Sequence, residues 1–175
     1  MFNSILVPLD GSSVSERIIP YVEALARSMT APVTLVHVVD TENLPDIYEP
    51  RFRAHLDRLA QKERVRVSKY LEDIRSRMEG RGLDVSAEVT IGSPAEAIAS
   101  FAYTQGMGMI AMSTHGRSGP ERWYLGSVAD KVLQTAVAPL LLYRPKEGEV
   151  AEVAFQKIIV PLDGSTLAEQ ALPTA

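Results

Sequence analysis

The sequence predicts an open, doubly wound α/β domain built on a five-stranded parallel sheet. Two observations carry this expectation. Short β-rich runs alternate with longer helical stretches along the first 145 residues, the order that places parallel strands under helices on both faces. Helix-start signals also recur just after the predicted strands, at the sheet edge where open α/β domains bind ligands. The 175 residues suffice for one such domain with some excess. Hydrophobic residues at 46% and charged residues at 23% are in the globular range and argue against disorder or fibrous architecture.

Taken in order, the predicted strands are Ile5–Leu9, Val33–Val39, Val85–Ile91, Met109–Ser113 and Leu140–Tyr143. Helices are expected over 14–29, 51–79, 94–105 and 127–136. The second has a clear period, with Phe52, Leu56, Leu59, Val67, Leu71, Ile74 and Met78 on one stripe. Capping boxes are expected at Ser13/Glu16, Ser93/Glu96, Ser127/Asp130 and Thr166/Glu169, and Pro94 suits a first helical position. Residues 51–81 hold ten Lys/Arg and five Asp/Glu, which reads as a solvated helix face crossed by salt bridges.

An internal repeat organises the rest. Residues 5–12 read ILVPLDGS and residues 158–165 read IIVPLDGS, identical at seven of eight positions. The expected organisation is therefore a complete unit over 1–145 and a Pro/Gly-bearing charged linker over 146–154. Residues 155–175 would be the first strand and partial first helix of a second, truncated repeat. The short run Ile158–Val160 is expected to pair with a sheet edge of its own or a neighbouring protomer.

Several function classes are excluded. A net charge of −4 gives no global field for nucleic acid, and no apolar run approaches a membrane span. There is no cysteine, which removes thiol chemistry and fits a cytoplasmic location; no secretory signal is visible. Gly106-Met107-Gly108-Met109-Ile110-Ala111 matches a dinucleotide pattern but precedes a strand instead of following one, so it is rejected. No Walker lysine follows Gly126. His37, His55 and His115 show no metal-ligand spacing and read as satisfied or exposed histidines.

The informative stretch runs from Met112-Ser113 through Gly116, Arg117 and Gly119 to Gly126-Ser127-Val128, joining the fourth strand to the fourth helix. Its glycines allow backbone to approach an anion, and free N–H groups at the helix start can bind phosphate. Arg117 is a candidate phosphate partner. Asp10, at the end of the first strand, is placed either to bind ribose or to stabilise an Asx turn with Gly11 and Ser12.

These residues resemble the universal stress protein family, whose ATP-binding members carry G-x2-G-x9-G-[ST] at this connection. Gly116 and Gly126-Ser127 fit the latter part, while Ser113 replaces the first glycine. The resemblance covers residues 1–145 and implies a Rossmann-like, adenine nucleotide alpha hydrolase-like fold. It implies that Asp10, Pro8 and Val38 hold the nucleoside. Met112, Ser113, Gly116, Arg117, Gly119, Gly126, Ser127 and Val128 would line the phosphate side. The implied function is an ATP-dependent sensor or regulator of stress responses that commonly dimerises, with Mg2+ as a companion of the phosphates. No general base or metal cage is visible, so an enzyme is not expected beyond slow residual hydrolysis. The alternatives are a non-nucleotide dimerisation scaffold of the same fold, with Ser113 marking a lost pocket, and, last, an ATP-pyrophosphatase, whose S-G-G-x-D-S loop is absent.

Overall fold

The computed structural model describes residues 2–40, 50–114, 125–145, 153, 155 and 157–172, with side chains left aside over 50–60. Five strands form one parallel sheet: β1 (Ile5–Pro8), β2 (Val33–Asp40), β3 (Val85–Gly92), β4 (Met109–Ser113) and β5 (Leu140–Tyr143). Their spatial order is β3-β2-β1-β4-β5. The chain thus winds outward from β1 to one edge, then crosses back to build the other. The helices are α1 (Ile19–Met29), α2 (Pro50–Glu79), α3 (Pro94–Thr104), α4 (Ser127–Thr135) and a short α5 (Thr166–Glu169).

Alternation along β1 sets the two cores. Ile5, Val7 and Leu9 join one cluster with Val22 and Ala26 of α1 and Val67, Leu71, Ile74 and Met78 of α2. Leu6 points the other way and packs with Ile98 and Ala102 of α3 and Ala129 and Val132 of α4. Side chains alternate across a strand, so a central parallel strand must be apolar on both faces. The expected stripe of α2 is present from Val67 onward; Phe52, His55, Leu56 and Leu59 lie where side chains are not described.

Helix starts differ from expectation. After β1 the chain makes a 3-10 turn over Ser15–Ile18 before α1, because Pro20 has no N–H for a regular helical bond and Ile19 N–H closes onto the Glu16 carbonyl instead. The Ser13 capping box does not form. Its place is taken by Ser12, whose Oγ accepts Ser15 N–H at 3.1 Å, while the N-cap residue Val14 is already helical. Ser93 is the N-cap of α3, with Pro94 in the first turn as expected, yet its hydroxyl makes no capping bond. Gly126, not Ser127, is the N-cap of α4; its φ of 92° is open to glycine and puts Ser127 inside the first turn. At α5, Ser165 caps by accepting Ala168 N–H, so Thr166 is displaced by one position.

The charged face of α2 carries the expected bridges: Arg66 with Glu63, and Arg75 with Glu72 and Glu79. Arg81, just beyond α2, clamps the buried Glu23 of α1 through bonds of 2.7 and 2.9 Å. The rejected glycine pattern has a packing role. Gly106 turns the chain with φ 61°, and Gly108 N–H donates to Ser4 Oγ at 3.0 Å. A Cβ at Gly108 would lie 2.6 Å from Asn3 Oδ1 and 2.8 Å from Asn3 N, so β4 could not approach the start of β1.

The repeated segment keeps its local shape but makes no ladder within its own sheet. Ile158 and Ile159 are 64% and 83% exposed, where the matching Ile5 and Leu6 are fully buried. Pairing of this segment with an edge of its own protomer is therefore not borne out. The β1 slot is already occupied, and Pro161 withholds one donor. Phe155 reaches back to Tyr21, ring centroids 6.2 Å apart, and Tyr21 packs on Tyr143 of β5.

The Gly108 contact gives a direct test. Gly108→Ala should lower unfolding stability by about 1–3 kcal/mol, the usual range for forced overpacking. Urea denaturation followed by far-UV circular dichroism measures it, and Gly106→Ala, whose Cβ meets open space, should lose only the cost of its positive φ.

Candidate functional site

In an open α/β sheet the crevice lies beyond the carboxyl ends of the strands where the winding reverses. Here that point is between β1 and β4, and a cavity of about 480 Å³ lies there. Its size falls within the ~300–1,000 Å³ typical of small-molecule sites. Pro8, Asp10, Val38, Met112, Ser113, Gly126, Ser127 and Val128, all singled out from sequence, line it together. Gly116, Arg117 and Gly119, like His115, lie outside the described residues.

The walls differ in chemistry. One is apolar: Val36, Val38, Ile98, Met112, Val128 and Ala129 belong to the core cluster under α3 and α4. The other side carries Asp10, Ser15, His37 and Glu63. The start of α4 also lines the cavity, and its first N–H groups present the positive end of the helix dipole. A flat apolar ring, a sugar and an anion could each meet a matching surface here.

The Asp10 loop is built locally. Asp10 Oδ1 accepts Ser12 N–H at 2.8 Å, and Gly11 supplies a φ of 83°. Ser15 Oγ donates to the Ser12 carbonyl at 2.9 Å. The Asx-turn reading of Asp10 holds, and the residue also lines the cavity. Burial pushes its carboxyl upward, but bonds from the Ser12 and Ser15 side chains and from the backbone outweigh that, leaving it below the ordinary value of 3.8.

Ser113 occupies the place of the motif glycine without strain. It is the last residue of β4, in register with Tyr143, and Thr30 is the only described non-glycine residue with positive φ. Glycine's freedom is therefore not needed at 113. Its hydroxyl leans toward the Ser15 carbonyl at 3.4 Å, across to the turn after β1.

His37 is the main residue that sequence reasoning passed over. It is only 8% exposed, lines the cavity, and its Nδ1 has no hydrogen-bond partner. Burial lowers its pKa below 6.5; the Leu9 backbone and the Asp10 and Glu63 carboxylates pull it back up, and Arg66 presses it down. Glu63, itself held below its ordinary value by Arg66, was likewise unmarked. Adjacency of His37 to Val38 at the ligand edge of β2 was the available signal, but a lone strand histidine gives no spacing pattern. Among the described residues no cluster of three or more His, Cys, Asp or Glu could hold a metal ion.

The profile of the universal stress protein family matches residues 1–144, almost the whole described unit. The chain belongs to the universal stress protein family. Among curated proteins it is 30% identical over 150 residues to the universal stress protein YxiE of Bacillus subtilis, covering 82% of this chain and 100% of that one. Among solved structures it resembles the hypothetical protein MJ0577, a universal stress protein of Methanocaldococcus jannaschii. The TM-score is 0.72 at 26% identity, over 84% of this chain and 99% of the other. The universal stress protein of Archaeoglobus fulgidus in complex with dAMP shares the fold, with a TM-score of 0.58 at 19% identity over 81% and 98% of the two chains. The five-stranded α/β architecture of this universal stress protein domain is thus that of its family. Among its described residues no helix is long and apolar enough to cross a membrane.

The lowered Asp10 pKa has a definite sign. A carboxylate whose folded pKa lies below its unfolded value adds stability above the unfolded value, and that contribution is lost as pH falls through the folded one. Wild-type protein should therefore lose more stability on acidification through the carboxylate range than Asp10→Asn. Urea titrations at neutral pH and below pH 3.8 compare the two.

Proposed function

We propose that this universal stress protein domain binds an adenine nucleotide, ATP, and acts as a nucleotide-dependent sensor or regulator of stress responses. The observation that carries the reading is a cavity at the β1/β4 switch point lined by apolar side chains, by Asp10 and by the N-terminus of α4. In this reading Pro8, Val38 and Met112 hold the base and Asp10 the ribose. Ser113, Gly126, Ser127 and Val128 offer backbone donors and hydroxyls to the phosphates, joined by Gly116, Arg117 and Gly119 of the motif. Mg2+ would arrive on the phosphate oxygens. The dAMP complex of the Archaeoglobus fulgidus protein is consistent with an adenine ligand on this fold.

A role other than enzyme is part of this reading. What supports it is that Asp10 Oδ1 is taken up by Ser12 N–H, which lessens its availability as a general base for an attacking water. The absence of cysteine accords with a cytoplasmic setting. Residues 155–175 are read as the first strand and partial first helix of a second repeat, supported by the repeated loop at Asp163–Ser165. The Ile158–Val160 segment, with Ile158 and Ile159 exposed, is proposed to pair with the sheet edge of a neighbouring protomer.

A ligand that binds only the native state stabilises it by RT ln(1 + [L]/Kd), about 2.7 kcal/mol at a hundredfold excess. Millimolar ATP should raise Tm, and Gly126→Val, which forces a β-branched residue into φ 92°, should remove the rise. No shift with ATP, ADP or AMP would leave the scaffold reading in front. Turnover of ATP should stay far below the median enzyme rate of about 10 per second; phosphate release at that rate, lost in Asp10→Ala, would make the protein an enzyme.

Self-association has its own measurement. Amide exchange at Ile158–Val160 should slow with rising protein concentration as light scattering reports a larger species. Full exchange in the dead time from a monomer at all concentrations contradicts the pairing.

A further inference from the structure

Two buried side-chain atoms among the described residues have no hydrogen-bond partner, His37 Nδ1 and the Tyr70 hydroxyl. Tyr70 is not part of the cavity wall; it sits toward Glu16 at the α2 face. His37 is in the wall, on the side that holds Asp10 and Glu63. A buried polar atom left unpaired is costly and is retained where something else compensates for it.

We propose that His37 is a ligand-contacting specificity residue, its Nδ1 sharing a hydrogen bond with a ribose hydroxyl of the bound nucleotide. The inference rests on the adenine-nucleotide reading and adds to it a residue outside the glycine motif. Three features of the site select a hydroxyl as the partner. The Asp10 and Glu63 carboxylates, whose fields reach His37, repel a phosphate, which in the nucleotide reading is held at Gly126–Val128. A neutral imidazole carries one donor and one acceptor, and a hydroxyl can serve either tautomer. Asp10, with Oδ1 committed to Ser12 N–H, keeps a second carboxylate oxygen that can accept only, so the two side chains together match a pair of adjacent hydroxyls. Nδ1 is shielded from solvent in the ligand-free site, so contact with a sugar requires the ring to turn about Cβ–Cγ, a broad torsion in histidine.

The test uses the full chain and calorimetric titration with AMP, 2′-deoxy-AMP and 3′-deoxy-AMP, alongside the ligand-free Tm. His37→Leu should leave the ligand-free Tm unchanged or raised, since it removes an unpaired polar atom at similar volume. It should weaken AMP about three- to tenfold, the worth of one net hydrogen bond. One of the two deoxy analogues should bind wild type and His37→Leu alike, naming the hydroxyl concerned. His37→Asn, which keeps donor and acceptor capacity near Nδ1, should retain most of the AMP affinity. Equal AMP affinity in wild type and His37→Leu overturns the proposal, as does an equal loss for all three nucleotides. If His37→Leu fails to fold, the proposal stands or falls on whether His37→Asn and His37→Gln, which moves the polar group toward Nε2, differ in AMP affinity. Absence of binding by wild type defeats the nucleotide reading itself, a result distinct from binding that ignores His37.

Discussion

Everything in this domain depends on the complete burial of β1. Ile5, Leu6 and Val7 expose nothing, because β2 and β4 close both edges while helices cover both faces. A strand enclosed in this way fixes the register of its neighbours: Ile5 stands level with Val33 on one side and Met109 on the other. The close passage of Gly108 past Asn3 and Ser4 lets β4 come up to β1 at its start. The opposite, carboxyl ends of the two strands then diverge toward different connections, and the cavity is the space this leaves.

The loop after β1 shows how much of a site short-range chemistry can build. Asp163 Oδ1 accepts Ser165 N–H at 2.8 Å, as Asp10 Oδ1 does from Ser12. Gly164 and Gly11 have φ of 82° and 83°. Ser165 and Ser12 each cap the amide three residues on, at 3.1 Å. One copy follows a buried sheet strand and the other an exposed segment, yet the geometry is the same, so the Asp-Gly-Ser sequence is sufficient for it. Even the carboxyl behaves alike, since the Ser165 hydroxyl and N–H hold Asp163 below its ordinary value without any burial. Only the sheet turns that loop into one wall of a cavity.

Charge is managed differently on the two sides of α2. Toward solvent Arg66 and Arg75 pair with acids three or four residues away, exchanges worth little to stability. Toward the core, Arg81 closes over the buried Glu23, and removal of the arginine would leave a carboxylate without its partner. His37 lies between these regimes: burial lowers its pKa, while the Leu9 backbone and the Asp10 and Glu63 carboxylates act against that.

The sequence by itself determined the class of fold, all five strands to within a residue or two, and the four main helices, since these follow from apolar periodicity and from Pro and Gly punctuation acting over short range. It also marked Asp10, Met112, Ser113 and Gly126–Val128, because strand ends and helix starts in an α/β order must meet at one edge; Pro8 and Val38 were marked only by the resemblance to the universal stress protein family. Which residue caps each helix was decided by tertiary structure or by backbone angles invisible in a pattern: Gly126 displaces Ser127 through its positive φ, and Pro20 turns the start of the first helix into a 3-10 turn. The fate of Ile158–Val160 was likewise not local. Ile5 and Leu6 are core while their counterparts Ile158 and Ile159 are exposed, because burial depends on a sheet slot and each slot admits one strand. His37 and Glu63 became part of the site only when β2 and α2 were brought together. No spacing joins them in the chain, and the burial that leaves Nδ1 unpaired exists only once the helix covers the sheet.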